Sequence, residues 1–229
     1  MHDLAHIRAI TLDLDDTLWA IRPVILRAEQ GLQDWLAQHA PATAALPADQ
    51  KQALRRATHH AHPDKAHDLS FLRREAIRAC LVAAGDDPSL AEPAFEVFYS
   101  LRQQVEFLPG KLDALARLAK RYRLVALSNG NADIFKTSAA CYFHAAVRAH
   151  EFGAAKPDAR IFHAAAHAAR VDPEQVLHVG DDSHHDVQGA RDAGMAAAWI
   201  TPADSVWALG GPEPLRFVHL RDLCDHLQA

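Results

Sequence analysis

Apolar side chains first crowd together in IRAITLDL, residues 7–14, where Ile7, Ala9, Ile10, Leu12 and Leu14 flank a β-branched threonine. A short run this dense reads as a buried parallel strand. It ends in acid, at Asp13, Asp15 and Asp16. From 18 to 105 the period changes. Ile25, Leu26, Leu32, Trp35 and Leu36 recur by threes and fours over 24–38, the spacing of one helix face. Pro23 stands as the first residue of that helix. Pro41 and Pro47 break the pattern, helices follow near 48–60, 69–84 and 89–104, and Gly85 marks a helix end.

After Pro109-Gly110 the two periods alternate. A helix at about 111–120 precedes a strand at 123–128, and a helix near 131–139 precedes a short strand at 145–149. A helix over 158–170, a strand at 175–180, a helix near 184–193, a strand at 195–200 and a last strand and helix within 216–228 complete the series. Alternation of this kind predicts an α/β fold with helices on both faces of a parallel sheet. The expected architecture is a Rossmann-like core from 1–17 and 106–229, with an all-helical insert over 18–105.

Composition narrows the class. With 229 residues, 49% apolar and 23% charged, the chain is globular and can bury a sizeable core. Lys plus Arg number 24 against 29 Asp plus Glu, a net −5 with no basic block, so no nucleic-acid partner is expected. No uncharged apolar run reaches the roughly 18 residues of a membrane span, and the charged start carries no signal-type stretch. A cytoplasmic protein, monomeric or a small homo-oligomer, is the expectation. Cys80, Cys141 and Cys224 are far apart and form no C-x-x-C, so they read as small buried apolar residues.

Four clusters carry chemistry, three of them at strand ends. Asp13-Leu14-Asp15-Asp16-Thr17 follows the first strand, and carboxylates held close repel unless a cation or shared proton intervenes. Ser128-Asn129-Gly130-Asn131 offers a hydroxyl and backbone N–H groups of the kind that hold an oxyanion, or is an ordinary strand-to-helix turn. Lys156 precedes Pro157-Asp158, a helix start, and either reaches inward as a point charge or is a solvated surface lysine. Gly180-Asp181-Asp182-Ser183-His184-His185-Asp186 closes the strand VLHVG with hard oxygen ligands that suit magnesium. In order at strand ends, the acids of the first and last clusters can share a divalent cation, with the hydroxyl, amides and lysine facing its anion.

Asp13-x-Asp15-x-Thr17, Ser128, Lys156 and Gly180-Asp181-x-x-x-x-Asp186 together resemble the signature of the haloacid dehalogenase superfamily of aspartate-nucleophile hydrolases. The helical insert falls where that superfamily carries a mobile cap. The resemblance implies Mg²⁺-dependent phosphoryl transfer to a nucleophilic Asp13, with Asp15 as general acid and then base. It implies Mg²⁺ ligation by Asp13, the Asp15 backbone carbonyl and Asp181. Ser128, the Asn129 amide and Lys156 are implied as phosphate contacts, with Thr17 ordering the loop beside them. Asp186 is implied to hold Lys156 or a metal-bound water, and Asp182 stands where many relatives have serine. The superfamily's dehalogenases lack the second aspartate, because a halide leaves without a proton, so Asp15 favours a phosphatase.

Three longer blocks, LDLDDTLWAIRPVILRAE, LVALSNGNADIF and LHVGDDSHHDVQGARDAGMAAAWI, resemble the bacterial group of 5-amino-6-(5-phospho-D-ribitylamino)uracil phosphatases, which also hydrolyse FMN. The resemblance implies a small-molecule phosphorylated substrate from riboflavin synthesis. Arg22 is then either a substrate contact or a cap of the next helix. Trp19, Trp35, Phe71, Phe95, Phe98 and Tyr99 are either helix interior or faces for a flat heterocycle. His59, His60, His62 and His67 read as a solvated loop, and His184 and His185 as helix-start residues.

Overall fold

The computed structural model describes residues 4–229. In chain order its elements are β1 (Ala9–Leu12), α1 (Ile21–His39), α2 (Pro41–Ala44), α3 (Ala48–Ala61), α4 (Leu69–Ala84), α5 (Ala91–Arg102), α6 (Lys111–Leu118), β2 (Arg123–Ser128), β3 (Phe143–Arg148), α7 (Ala149–Phe152), α8 (Ala159–Ala169), β4 (Val176–Gly180), α9 (Gly189–Asp192), β5 (Ala196–Ile200), β6 (Leu215–Phe217) and α10 (Leu220–His226). They form two units. One takes the chain up to Ala20 together with Glu106–Ala229; the other is Ile21–Val105.

In the first unit six parallel strands run in the order β3-β2-β1-β4-β5-β6. The chain winds outward from β1 through β2 to β3, and then in the other direction from β4 to β6. The reversal opens a crevice beyond the carboxyl ends of β1 and β4, the place where such sheets bind ligands. On α8, Ile161, Phe162, Ala165, Ala166 and Ala169 follow helical spacing and are all buried against Val125, Leu127, Val176 and Val187. The alanines let the helix approach the sheet closely. Each fully buried Ile or Phe contributes roughly 1.5–3 kcal/mol by removal from water.

In the helical unit α1 buries Val24, Ala28, Leu32 and Leu36, one residue per turn. Ile77 and Leu81 of α4 and Phe95 and Phe98 of α5 complete its core, with Trp35 and Tyr99 packed against it. Asp68 caps α4 by accepting the Phe71 N–H at 2.9 Å. Gly85 ends it at φ +78°, a conformation a Cβ disfavours. Pro23 is the third helical residue rather than the first, still inside the first turn, where N–H groups have no helical acceptor.

Elsewhere the structure departs from the periodicity. The helix expected near 131–139 is two 3-10 turns, Ile134–Lys136 and Ala140–Tyr142. Asp133 accepts from the Phe135 N–H, and the Thr137 hydroxyl donates to the Ile134 carbonyl, so local side-chain bonds replace the helical ladder. The helix near 184–193 opens as a π-helical stretch, Ser183–Gln188, before α9. All three cysteines are free, but only Cys224 is buried; Cys80 is half-buried and Cys141 exposed. No helix among the described residues is long and apolar enough to cross a membrane.

Candidate active site

Strand alternation sets the first contacts. Thr11 and Asp13 are two residues apart and share a face of β1 and its extension. The Asp13 N–H donates to the Val179 carbonyl at 2.9 Å, which carries the ladder one residue past β1. On β4, His178 lies directly opposite Thr11, and Gly180 follows two residues on. Lys156 arrives from the loop before α8. Its main chain is fixed by Asn129, whose Oδ1 accepts the Lys156 N–H at 2.7 Å and whose Nδ2 donates to the Lys156 carbonyl at 2.9 Å.

So placed, the Lys156 ammonium donates to Asp13 Oδ1 at 2.5 Å and to Asp186 Oδ1 at 2.6 Å. All three side chains are buried: 10% of Asp13 is exposed and 2% each of Lys156 and Asp186. Asp186 has two further donors, the Asp182 N–H at 3.0 Å and His178 Nε2 at 3.1 Å. Gly180 makes room for it, since a Cβ there would lie 2.2 Å from the Asp186 carboxyl carbon.

Electrostatics divide the carboxylates. Burial alone would raise Asp186, but Lys156 and His178 overcome it and hold the group well below the usual carboxylate range. Burial would likewise lower Lys156, yet its two carboxylate partners keep it above an ordinary lysine and charged. Asp13 is pushed up by burial, against the pull of Lys156 and with the negative fields of Asp186 and Asp181 added. Asp181 is pushed up to about 6 by burial and by Asp186.

Around this centre, the Thr17 hydroxyl donates to Asp181 Oδ1 at 3.0 Å, and Trp199 Nε1 donates to the Asp181 carbonyl at 2.6 Å. Asp15 turns to Trp19, whose Nε1 donates to Asp15 Oδ1 at 2.7 Å from a fully buried ring. Ser128 Oγ accepts the Gly130 N–H at 3.0 Å, which leaves its own proton to donate. Asp182 is half exposed and caps the π-helical stretch, accepting the N–H groups of His184 and His185. Arg22 is exposed in the first turn of α1, in the helical unit.

Sequence reasoning missed His178, the carboxylate-holding role of Trp19 and the side-chain clamp of Asn129. It also missed Lys111, a buried lysine at the start of α6 whose ammonium is lowered by burial and supported by the charge of Asp181. The available signal was a histidine inside the otherwise apolar strand VLHVG.

Asp13, Asp181 and Asp186 can each bring a carboxylate oxygen within 4.8 Å of the others, and no other such group of metal-type ligands exists among the described residues. The histidines around Pro63 form none. Asp13 and Asp186 meet the Lys156 ammonium and Asp181 lies in the same group, with Lys111 as a second cation near it; Asp13 and Asp181 are raised first by burial and further by their neighbouring carboxylates. A dication fits such a group. Asp186 is committed to Lys156, His178 and the Asp182 N–H, so Asp13 and Asp181 are the carboxylates left to bind one. Two hard carboxylate oxygens match the habit of Mg²⁺, which takes one or two carboxylates and completes its shell with water.

A family model described as haloacid dehalogenase-like hydrolase matches residues 7–194. Among curated relatives, the 5-amino-6-(5-phospho-D-ribitylamino)uracil phosphatase YigB of Escherichia coli is 36% identical over 203 residues, covering 87% of this chain and 85% of the relative. The N-acylneuraminate-9-phosphatase of Mus musculus is 29% identical, covering 92% and 89%. Among solved structures, a 2-haloacid dehalogenase from Pseudomonas syringae superposes with a TM-score of 0.91 at 37% identity, covering 97% of this chain and 98% of that one. With a parallel sheet of this strand order, four motifs gathered at its switch point and a family match over most of its length, the chain belongs to the haloacid dehalogenase-like hydrolases.

Proposed function

We propose that this protein is a magnesium-dependent phosphatase that hydrolyses a small phosphate monoester through an aspartyl-phosphate on Asp13. The observation that carries this reading is the Lys156 ammonium clasped between Asp13 and Asp186 beside Asp181, with Asp15 two residues beyond the nucleophile. Asp13, Asp181 and the Asp15 backbone carbonyl would hold the metal, which supplies charge neutralisation for the nucleophile and the phosphoryl oxygens.

The protein's own groups do the rest. The Asp13 carboxylate attacks phosphorus, and the leaving oxygen takes a proton from Asp15. Lys156 spends two protons on carboxylates and keeps a third for a phosphoryl oxygen, while the Ser128 hydroxyl and the Asn129 amide serve the others. Thr17 steadies Asp181. Asp15 then takes the proton of the water that cleaves the acyl phosphate. We treat the helical unit as the cap that the sequence resemblance implies, and carry Arg22 as a substrate contact on that resemblance alone. A cytoplasmic setting suits three free thiols.

For the substrate we favour a ribityl 5-phosphate, either 5-amino-6-(5-phospho-D-ribitylamino)uracil or FMN. The support is the 36% identity to a relative that carries the first of these in its name. A second reading, 2-haloacid dehalogenase, is favoured by the 37% identical structure that bears that title. Asp15 argues against it, because halide departure needs no acid. The test is a panel of FMN, the ribitylaminouracil phosphate, phosphoglycolate, sugar phosphates and 2-chloropropionate, with and without Mg²⁺. Magnesium-dependent phosphate release with a preference for the ribityl phosphates is expected. Chloride release without phosphate release would overturn the phosphatase reading, and a preference for phosphoglycolate would overturn the substrate alone.

A further inference from the structure

His178 is a costly residue to place in the middle of the sheet. The strand VLHVG is buried throughout, and the histidine is 1% exposed. A buried imidazole must have partners for both nitrogens, and here they differ in kind. Thr11 Oγ1 lies 2.8 Å from Nδ1, and Asp186 Oδ1 lies 3.1 Å from Nε2. An ionised carboxylate only accepts, so Nε2 carries the proton. Burial and the nearby Lys156 charge keep the ring neutral, so Nδ1 accepts from the Thr11 hydroxyl. The ring also packs against Phe162 of α8 in a T-shaped contact at 5.1 Å between centroids.

The polarity then runs one way: Thr11 donates to His178, His178 donates to Asp186, and Asp186 accepts from Lys156, which reaches Asp13. Oδ1 of Asp186 receives both Lys156 and His178, while Oδ2 is held by the Asp182 N–H. Without the Nε2–H the carboxylate keeps two donors and can rotate about its last bond, taking the ammonium with it.

We infer that His178, locked in its Nε2–H form by Thr11, is a positioning residue that fixes the Asp186 carboxylate and through it the Lys156 ammonium beside Asp13. The inference rests on the roles given to Asp13 and Lys156 under Proposed function. It goes beyond them by assigning that geometry to a side chain that touches neither substrate nor metal.

The test compares two substitutions of similar polarity. His178→Gln keeps a donor near the Nε2 position. His178→Asn keeps a group near Nδ1, for Thr11, and loses the reach to Asp186. With p-nitrophenyl phosphate and Mg²⁺, kcat is expected to fall roughly ten- to a hundredfold in the Asn variant, with KM changed less than about threefold, and to recover to within about threefold of the parent in the Gln variant. A second readout needs no turnover. In the metal-free protein, ¹⁵N shifts of the His178 ring report which nitrogen is protonated, and proton exchange at the Lys156 ammonium is expected to quicken in the Asn variant and not in the Gln variant. Thr11→Val, a near-isosteric change, serves if either variant fails to fold, and is expected to loosen the same ammonium. Protonation at Nδ1 in the parent protein, or equal ammonium exchange in parent, Asn and Thr11→Val proteins, overturns the inference. A parent protein inert toward phosphate esters would instead count against the proposed function, with the ammonium readout still deciding the role of His178.

Discussion

Lys156 shows how much a single side chain owes to its surroundings. A lone lysine before a helix is most often solvated, yet here it is buried between two carboxylates with its main chain clamped by Asn129. Removing one partner of such a buried pair leaves an uncompensated charge that costs about 3–5 kcal/mol. Asp13→Asn removes the proposed nucleophile and is expected to abolish turnover; appreciable residual phosphate release from a clean preparation would refute the assignment. Asp15→Asn removes the proposed proton donor. Alkyl phosphates, whose leaving oxygen is strongly basic, are expected to slow by about 10²–10⁴, and p-nitrophenyl phosphate much less. Equal losses on both substrates would show that Asp15 is not the acid.

At the scale of elements, small residues do much of the positioning. The alanine face of α8 brings the helix against β1, β2 and β4, which delivers Lys156 from its amino-terminal end. Phe162 is the largest anchor of that face and is fully buried. Phe162→Ala is expected to destabilise the fold by about 3–5 kcal/mol, read as a lower urea midpoint with an unchanged m-value. The sequence period located α8 and β4 closely because each has one strongly apolar pattern. It failed at 131–139, where Asp133 and Thr137 satisfy backbone groups locally and no ladder propagates. The histidine in β4 carried no periodic signal at all, since its meaning depends on Thr11 in a neighbouring strand.

For the whole molecule, charge and pH are the levers. Asp181 is pushed up to about 6 without metal, and Mg²⁺ competes with that proton. Magnesium affinity is therefore expected to drop at least about tenfold between pH 7 and pH 5, measured by calorimetry, with a shallower slope in Asp181→Asn, where Asp13 alone still competes with protons. The linked stability has the opposite sign. A carboxyl whose folded pKa is raised stabilises the metal-free fold below its unfolded value, and that contribution is lost as pH rises through about 6. Without metal, the neutral Asp181→Asn protein should match the parent at pH 5 and melt progressively higher than it as pH rises through about 6. Adding Mg²⁺ at pH 7 should raise the melting temperature of the parent far more than that of the variant.

The parallel sheet with its flanking helices was legible in the chain, because hydrophobic period and turn chemistry act over a few residues. Asp13, Asp181 and Asp186 stood out as acids closing apparent strands, and Lys156 only in company with the other motifs. Which oxygen accepts which donor was not legible there. Residues such as Thr11 and His178 are 167 positions apart, and their pairing is set by strand register. The clamp of Asn129 on Lys156, the hold of Trp19 on Asp15 and the neutral His178 behind Asp186 exist only once the sheet has assembled. Hydrogen-bond direction and burial of charge are properties of groups brought together from distant parts of the chain, and no local pattern encodes them.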